Sequence, residues 1–379
     1  MADPASRETG QGDTTPPPPR ENDHLAGHET AEAAIAEAVF RGQMHHAWLI
    51  QGPGGIGKAT FAWRVAKYLH SLDGPENSAD GGLFGDDLPA NPPERLSIDS
   101  QDPRVRRVAN GAHGDVRALS PAPMKSNANR LSREIKVEQV RDLIGFFQQT
   151  RSESAWRVAI IDAADNLNTS ASNALLKLLE EPPERSVLLL VAHNPGRLLP
   201  TIRSRCRALS LRPLAPVAMR DVLQHVLGDL AEETVERLAA LSDGAPGRAI
   251  RLRAAGGEDL YANMLSLLEG CPRPDRARLH KFAESLASPS AEEQFDIFRT
   301  LLEGWMMRLI RYASGDAKSP IPGEEGLMSR YASAAGVADW LTLWDKLRQK
   351  LDQAKGLNID LKLAILAVFL EIDGTLSGA

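Results

Sequence analysis

Residues 52–58 read GPGGIGK, and this stretch decides the fold class. It satisfies the spacing G-x-x-x-x-G-K, follows an apolar run (AWLIQ, 47–51) and opens a helical run, which is the context of a phosphate-binding loop. Glycines let backbone N–H groups approach phosphate oxygens, and the helix N-terminus adds partial positive charge. A glycine turn before a helix is often only structural, but the lysine at this offset favours a nucleotide pocket. Its predicted lining residues are Gly52, Gly54, Gly55, Gly57 and Lys58.

The residue after the lysine determines whether the loop can supply a ligand to Mg²⁺. A P-loop enzyme carries Ser or Thr there, because the hydroxyl ligates the Mg²⁺ bound to the nucleotide, but this chain has Ala59. Thr60 is a candidate contact to the nucleotide. One residue further along a helix turns a side chain by about 100°, so Thr60 is not expected to replace the missing metal ligand.

An acid follows the apolar run at 157–161. Asp162 stands where a P-loop enzyme places a carboxylate beside its Mg²⁺. Many strands end in Asp as a turn or helix cap, so the position is informative only because a phosphate loop precedes it. Asp165, three residues further, is interpreted as a surface or capping residue.

Strand-like and helix-like runs alternate along the first half of the chain. The predicted strands are 47–51, 157–162, 186–192 and 207–211. Such alternation predicts a doubly wound α/β domain with a parallel sheet, and we assign it to 23–212. Residues 1–22 are predicted to be a disordered tail, and 73–114 an insertion or mobile loop. Residues 213–256 predict a small helical lid, and 257–379 an all-helical domain.

Composition narrows the class of protein. The chain has 379 residues, a formal net charge of −6 and two cysteines, Cys206 and Cys271. The charge gives no global reason to bind nucleic acid, and two cysteines make no disulfide framework or metal cluster. The apolar runs are too short to cross a membrane and no signal-peptide core opens the chain. A reducing cytoplasm is therefore expected.

Several motifs together resemble the clamp-loader branch of the AAA+ superfamily. SNALLKLLEEPP at 172–183 resembles the helix after the acidic strand in bacterial gamma, tau and delta-prime subunits. LPTIRSRC at 199–206 is similar to the family's Ser-Arg-Cys segment, and 188–194 to its sensor 1 strand. Two further matching stretches are HHAWL at 45–49 and IKVEQVR at 135–141. The resemblance extends over about residues 25–211.

The resemblance implies roles for three polar residues. Arg205, in the Ser-Arg-Cys segment, would act in trans as an arginine finger on ATP bound by a neighbouring subunit. Asn194 would correspond to sensor 1, and Arg248, after Gly247, to sensor 2. The alternatives are a surface salt bridge for Arg205 and a salt bridge at a helix N-terminus for Arg248.

Two alanines distinguish the branches of this family. Its motor subunits, gamma and tau, carry the metal-binding hydroxyl and a Glu after the acidic strand that polarises the attacking water. This chain has Ala59 and Ala163, so it resembles the delta-prime family, with a weak or vestigial site for ATP or ADP and Mg²⁺ and little or no ATPase activity. Many relatives carry a four-cysteine zinc module, but 73–114 contains no cysteine, so no zinc is expected.

By resemblance, the chain would be a stator in a complex with gamma/tau and delta subunits of the DNA polymerase III holoenzyme. That complex loads the sliding clamp on primed DNA, in a replisome associated with the nucleoid. The helical domain would form the collar that joins the subunits, and 358–370 is predicted to be a buried helix. Its predicted core positions are Ile359, Leu361, Leu363, Ala364, Leu366 and Phe369. An autonomous AAA+ ATPase and a gamma/tau-like subunit that binds but does not hydrolyse nucleotide stay open as alternatives.

Overall fold

The computed structural model describes residues 17–72, 91–121, 123–124, 127–131, 134–149, 154–315, 321–357 and 360–377. Contacts divide the chain into two compact units. The sheet unit extends to His225 and takes in Gly244–Gly247, and the helical unit comprises Val226–Asp243 and the chain from Arg248 onward. The domain boundaries predicted at 212/213 and 256/257 stay predictions.

The sheet unit is built around a parallel sheet. Its strands are β1 Ala47–Gln51, β2 Val116–Leu119, β3 Pro123–Met124, β4 Asn127–Leu131, β5 Arg157–Ile161, β6 Ser186–Ala192 and β7 Arg207–Ser210. Its helices are α1 Glu29–Phe40, α2 Lys58–Ser71, α3 Pro103–Ala109, α4 Val137–Gln148, α5 Thr169–Glu180 and α6 Pro200–Arg203. The central sheet has the order β2-β5-β6-β1-β7, and its neighbouring strands are all parallel. β3 and β4 form a separate antiparallel pair.

Helices cover both faces of the central sheet because its inner strands are apolar on both faces. β5 and β6 are buried throughout, as expected for parallel strands. Val158 and Ile160 pack into one core with α1 and α2, whereas Ala159 and Ile161 pack into the other with α4 and α5. This three-layer arrangement confirms the predicted doubly wound α/β class.

Several elements were not predicted, among them α3 and β2. α3 lies inside the segment interpreted as an insertion or mobile loop at 73–114, of which 73–90 falls outside the described residues. The interpretation of 73–114 as an insertion stays a prediction. The start of α3 is marked by an Asp102 side chain that accepts from Arg104 N and by Pro103 at the first helical position. The edge strand β2 could not be predicted from its sequence, because only its first residue is buried and apolar and polar residues do not alternate along it.

The helical unit continues without a strand through its described residues. The remaining helices are α7 Pro216–Leu227, α8 Glu232–Leu241, α9 Pro246–Ala254, α10 Gly257–Glu269, α11 Arg276–Ala287, α12 Glu292–Ala313, α13 Glu325–Ala334, α14 Val337–Leu357 and α15 Leu361–Ser377. α7, α8 and α9 lie within the segment predicted to be helical at 213–256. No helix in the described part of the chain has the length and apolar character needed to cross a membrane.

The buried face of α15 differs from the prediction. Its fully buried residues are Ile365, Val368, Phe369 and Ile372. Of the predicted core positions, Phe369 is confirmed, Leu363 is wrong because it is 60% exposed, and Leu361, Ala364 and Leu366 are only partly buried; Ile359 lies outside the described residues. Because the helix is apolar on every side, its sequence does not reveal which side packs.

Candidate functional site

The predicted phosphate loop connects β1 to α2, and its backbone requires glycine. Gly52, Gly55 and Gly57 have φ values of 148°, 83° and 93°, which residues with a side chain rarely adopt. A Cβ on Gly52 would lie 2.4 Å from Leu211 O, whereas a Cβ on Gly54 would meet open space. The loop therefore has the shape that lets backbone N–H groups surround a phosphate.

Lys58 is almost fully buried and is bound by its own loop. Its Nζ donates to Gly52 O at 2.7 Å and to Pro53 O at 2.6 Å. Burial lowers the pKa of Lys58 to about 8, against the opposing effects of Asp165 and Asp162. The ammonium is thus close to both acids, at the carboxyl edge of the sheet.

Gly247 belongs to the sheet unit and contacts the phosphate loop at Gly55. Its N–H donates to Gly55 O at 2.7 Å, and a Cβ on Gly247 would lie 3.0 Å from that oxygen and 3.2 Å from Gly55 Cα. Sequence reasoning noted Gly247 only as the neighbour of a candidate arginine. The bond fixes the position of the loop through backbone atoms alone.

The groups around the expected metal position are incomplete. Ala59 offers no hydroxyl, and Thr60 is buried within α2. Asp162 follows β5, and burial raises its pKa, opposed by His193, the Ala163 N–H and Lys58. Ala163 has a left-handed backbone with φ 58° and is buried. Asp162 is retained near the loop lysine. The positions that carry the metal-binding hydroxyl and the water-orienting Glu in a P-loop enzyme are alanines in this chain.

Asp165 is not the surface residue that the sequence suggested. It is 8% exposed, and its carboxylate accepts from His193 N at 3.1 Å and from Asn194 N at 3.0 Å. It therefore does cap a turn, but that turn lies 28 residues later, at the end of β6. Asp165 thereby fixes the backbone of Asn194, the predicted sensor 1 residue, next to the acids of β5.

Arg205 lies away from the phosphate loop, beside the last turn of α5. Its Nη2 pairs with Glu180 Oε1 at 2.9 Å, and its Nη1 donates to Thr201 O at 3.1 Å. The Arg205 side chain is 37% exposed, and Ile202 one turn earlier is fully buried. The alternative reading, a surface salt bridge, thus describes the free chain correctly, and it leaves the guanidinium accessible to solvent.

Arg248 makes the salt bridge that was considered as its alternative role. Its Nη1 lies 3.1 Å from Asp243 Oδ2, and both residues belong to the helical unit. The structure therefore brings Lys58 near Asp162 and Asp165, and Asp165 binds the backbone of Asn194. Arg205 pairs with Glu180, and Arg248 pairs with Asp243.

Comparisons with known proteins agree with the motifs. Residues 87–215 match a family model described as DNA polymerase III, delta subunit. The chain is 32% identical over 328 residues to the DNA polymerase III subunit delta' of Pseudomonas aeruginosa, covering 86% of this chain and 85% of that protein. It is 26% identical over 288 residues to the gamma/tau subunit of Mycobacterium tuberculosis, covering 74% of this chain but 45% of that protein.

Among solved structures, a gamma subunit-related protein of DNA polymerase III from Thermotoga maritima is 17% identical, with a TM-score of 0.44 and coverage of 91% of this chain and 99% of that one. The delta' relative, in contrast, matches nearly its whole length at about one identical residue in three. The chain therefore belongs to the delta' family of DNA polymerase III clamp-loader subunits.

Proposed function

We propose that this chain is the non-motor member of its clamp loader and that it completes the ATP site of a neighbouring subunit. Two observations together support the proposal. Ala59 and Ala163 occupy the two positions that hydrolysis needs, while the Arg205 side chain keeps 37% of its surface accessible to solvent. Hydrolysis would then take place at the ATP site of the neighbouring subunit, and this chain would serve as scaffold and activator.

The chemistry of Arg205 suits a role in trans. A guanidinium is planar, stays charged at physiological pH and presents donors in a fork that matches phosphate oxygens. Charge builds up on those oxygens as a γ-phosphoryl group is transferred, so a positioned arginine stabilises the transition state. The buried Ile202 anchors the short helix α6, so that Arg205 projects from a fixed base.

The chain's own pocket fits phosphates better than it fits magnesium. Gly52, Gly55 and Gly57 form a cradle with positive φ, and Lys58 is present. Entry of a nucleotide would require Lys58 Nζ to exchange its two loop carbonyls for phosphate oxygens. Because the hydroxyl ligand at Ala59 is missing, we propose that ATP or ADP binds weakly or only as a structural ligand, and that Mg²⁺ is poorly held.

Family membership supports the remaining assignments. We propose gamma/tau and delta subunits as direct partners, the sliding clamp and primed DNA as partners through the complex, and the cytoplasmic replisome as the location. Residues 213–256 would act as the lid and 257–379 as the collar. Leu363 and Leu370 of α15 do not belong to its buried side, and their exposed fractions are 60% and 62%. This exposure supports a contact of the collar helix with another subunit.

The test replaces Arg205→Ala in the reconstituted complex. We expect the complex to assemble normally and its ATPase rate with clamp and primed DNA to fall by about 10³-fold or more. Arg203→Ala is the matched control, because Arg203 is an exposed arginine two residues earlier, at the end of α6; it is expected to leave the rate within about twofold. An unchanged rate in Arg205→Ala complexes would remove the proposal.

A second candidate function is nucleotide binding without hydrolysis, favoured by the intact glycine cradle. Equilibrium dialysis of the isolated chain with labelled ATP or ADP would detect binding that Lys58→Ala abolishes. Vigorous Mg²⁺-dependent ATP hydrolysis by the isolated chain would instead identify an autonomous ATPase and contradict both ideas.

A further inference from the structure

The acid that faces Arg205 sits in an unusual place. Glu180 is the last residue of α5, where the helix dipole is negative and a carboxylate is disfavoured. Lys177 in the same turn has the sign that the dipole favours. A glutamate in this position is stabilised when a cation lies beside it, and the Arg205 guanidinium at 2.9 Å is that cation.

Packing explains why the two residues meet although they are 25 positions apart. Leu175, Leu178 and Leu179 of α5 belong to the same buried cluster as Ile202 of α6. This cluster holds the end of α5 against α6. Glu180 and Arg205 therefore face each other across a contact that the core has already fixed.

Glu180 also resembles, in its chemistry, the group that an arginine finger is meant to reach. Carboxylates and phosphates both accept from the guanidinium fork, so the two compete for the same donors. The pair is exposed, at 37% for Arg205 and 50% for Glu180. Exposed ion pairs are weak and change an equilibrium by about 1.5- to 5-fold, so this one exchanges readily for a stronger partner.

We propose that Glu180 is a resident counter-ion that holds Arg205 on its own subunit until the triphosphate of a neighbouring subunit takes its place. This inference rests on the proposed trans role of Arg205. Glu180 regulates that role as a positioning residue and does not touch the nucleotide. It reduces the fraction of Arg205 that is free to engage, which weakens engagement in proportion.

The experiment compares reconstituted complexes that contain wild-type chain, Glu180→Gln or Glu181→Gln. Glu181 is the exposed neighbouring glutamate and serves as the matched control. We expect Glu180→Gln to raise kcat/KM for ATP hydrolysis by the partner subunits by about 1.5- to 5-fold, because the finger no longer has to leave a carboxylate. Glu181→Gln should stay at the wild-type value, and thermal melting of each variant checks folding.

Ionic strength supplies a readout that a purely structural role would not move. Salt screens exposed charge pairs, so the difference between wild type and Glu180→Gln should shrink as salt is raised from about 0.05 to 0.5 M. A lower or unchanged kcat/KM in Glu180→Gln, an equal rise in Glu181→Gln, or a difference that does not depend on salt would overturn the counter-ion role.

Arg205→Ala, measured alongside, separates this inference from the proposed function. If Arg205→Ala leaves the partner ATPase unchanged, the trans role itself is wrong and the inference falls with it. If Arg205→Ala lowers the rate but Glu180→Gln does not raise kcat/KM, only the counter-ion role is wrong.

Discussion

The phosphate-loop edge of the sheet and the α5–α6 corner differ in the chemical groups that they offer. The α5–α6 corner comprises Glu180, Thr201, Ile202 and Arg205. At the loop edge the backbone shape remains, with three glycines at positive φ, but alanines stand at the two positions that hydrolysis needs. At the corner a charged side chain remains on a buried base. The first region therefore offers the backbone of a phosphate site without two of its side chains, whereas the second offers a charged side chain without a pocket of its own.

The largest expected effect is a difference in ATPase rate between a variant of the loop edge and a variant of the α5–α6 corner. Lys58→Ala alters the loop edge, and Arg205→Ala alters the corner. If the chain acts only through the corner, Lys58→Ala should leave the ATPase of the reconstituted complex within about twofold, against the 10³-fold loss expected for an arginine finger. Equal losses in the two variants would mean that the chain's own pocket works in turnover.

The next effect concerns the stability that the loop backbone provides. Gly52→Ala would press a Cβ to within 2.4 Å of Leu211 O at a φ of 148°, whereas Gly54→Ala meets open space. We expect Gly52→Ala to lower the free energy of unfolding by about 2–4 kcal/mol and Gly54→Ala to change it by less than about 1 kcal/mol. Urea unfolding of the two variants measures the difference. Similar values would show that the loop is not needed for folding.

Asp165 tests the hydrogen bonds that connect the turn after β5 to the end of β6. Asp165→Ala leaves the N–H groups of His193 and Asn194 without the carboxylate that accepts from them. The expected loss is about 2–3 kcal/mol in the free energy of unfolding, with exposed Asp142→Ala as a control. A loss no larger than that of the control would mean that water replaces the carboxylate at little cost.

The smallest effect is a pH dependence that arises from Lys58. Burial holds its pKa at about 8 in the fold, below the ordinary value of 10.5, so between these pH values the unfolded chain binds more protons. Stability from this group therefore rises as pH increases from about 8 to 10.5. Relative to Lys58→Met, the wild-type free energy of unfolding should therefore rise over that window. Parallel pH profiles of the two proteins would contradict the shift.

Features that depend on short-range spacing could be predicted from the sequence. The loop glycines, Lys58 and the buried strands β5 and β6 follow from residue spacing and apolar runs. The Arg205 prediction depended on a motif, and the structure added the acid that faces it. In each of these cases the deciding residues lie within about ten positions of one another.

What the sequence did not reveal depends on distant packing. The burial of Asp165 could not be predicted, because the N–H groups that it caps lie at the end of another strand. Glu180 meets Arg205 only through the core between α5 and α6. α15 is apolar on every side, so its neighbours select the buried face. The edge strand β2 exposes most of its residues and carries no pattern to detect.

The two bonds from Lys58 Nζ to Gly52 O and Pro53 O have a consequence for the loop when no ligand is bound. A buried ammonium without acceptors would be costly, and a ligand would be needed to neutralise it. Here two carbonyl oxygens of the loop accept from the ammonium, so its hydrogen bonds do not depend on a bound nucleotide.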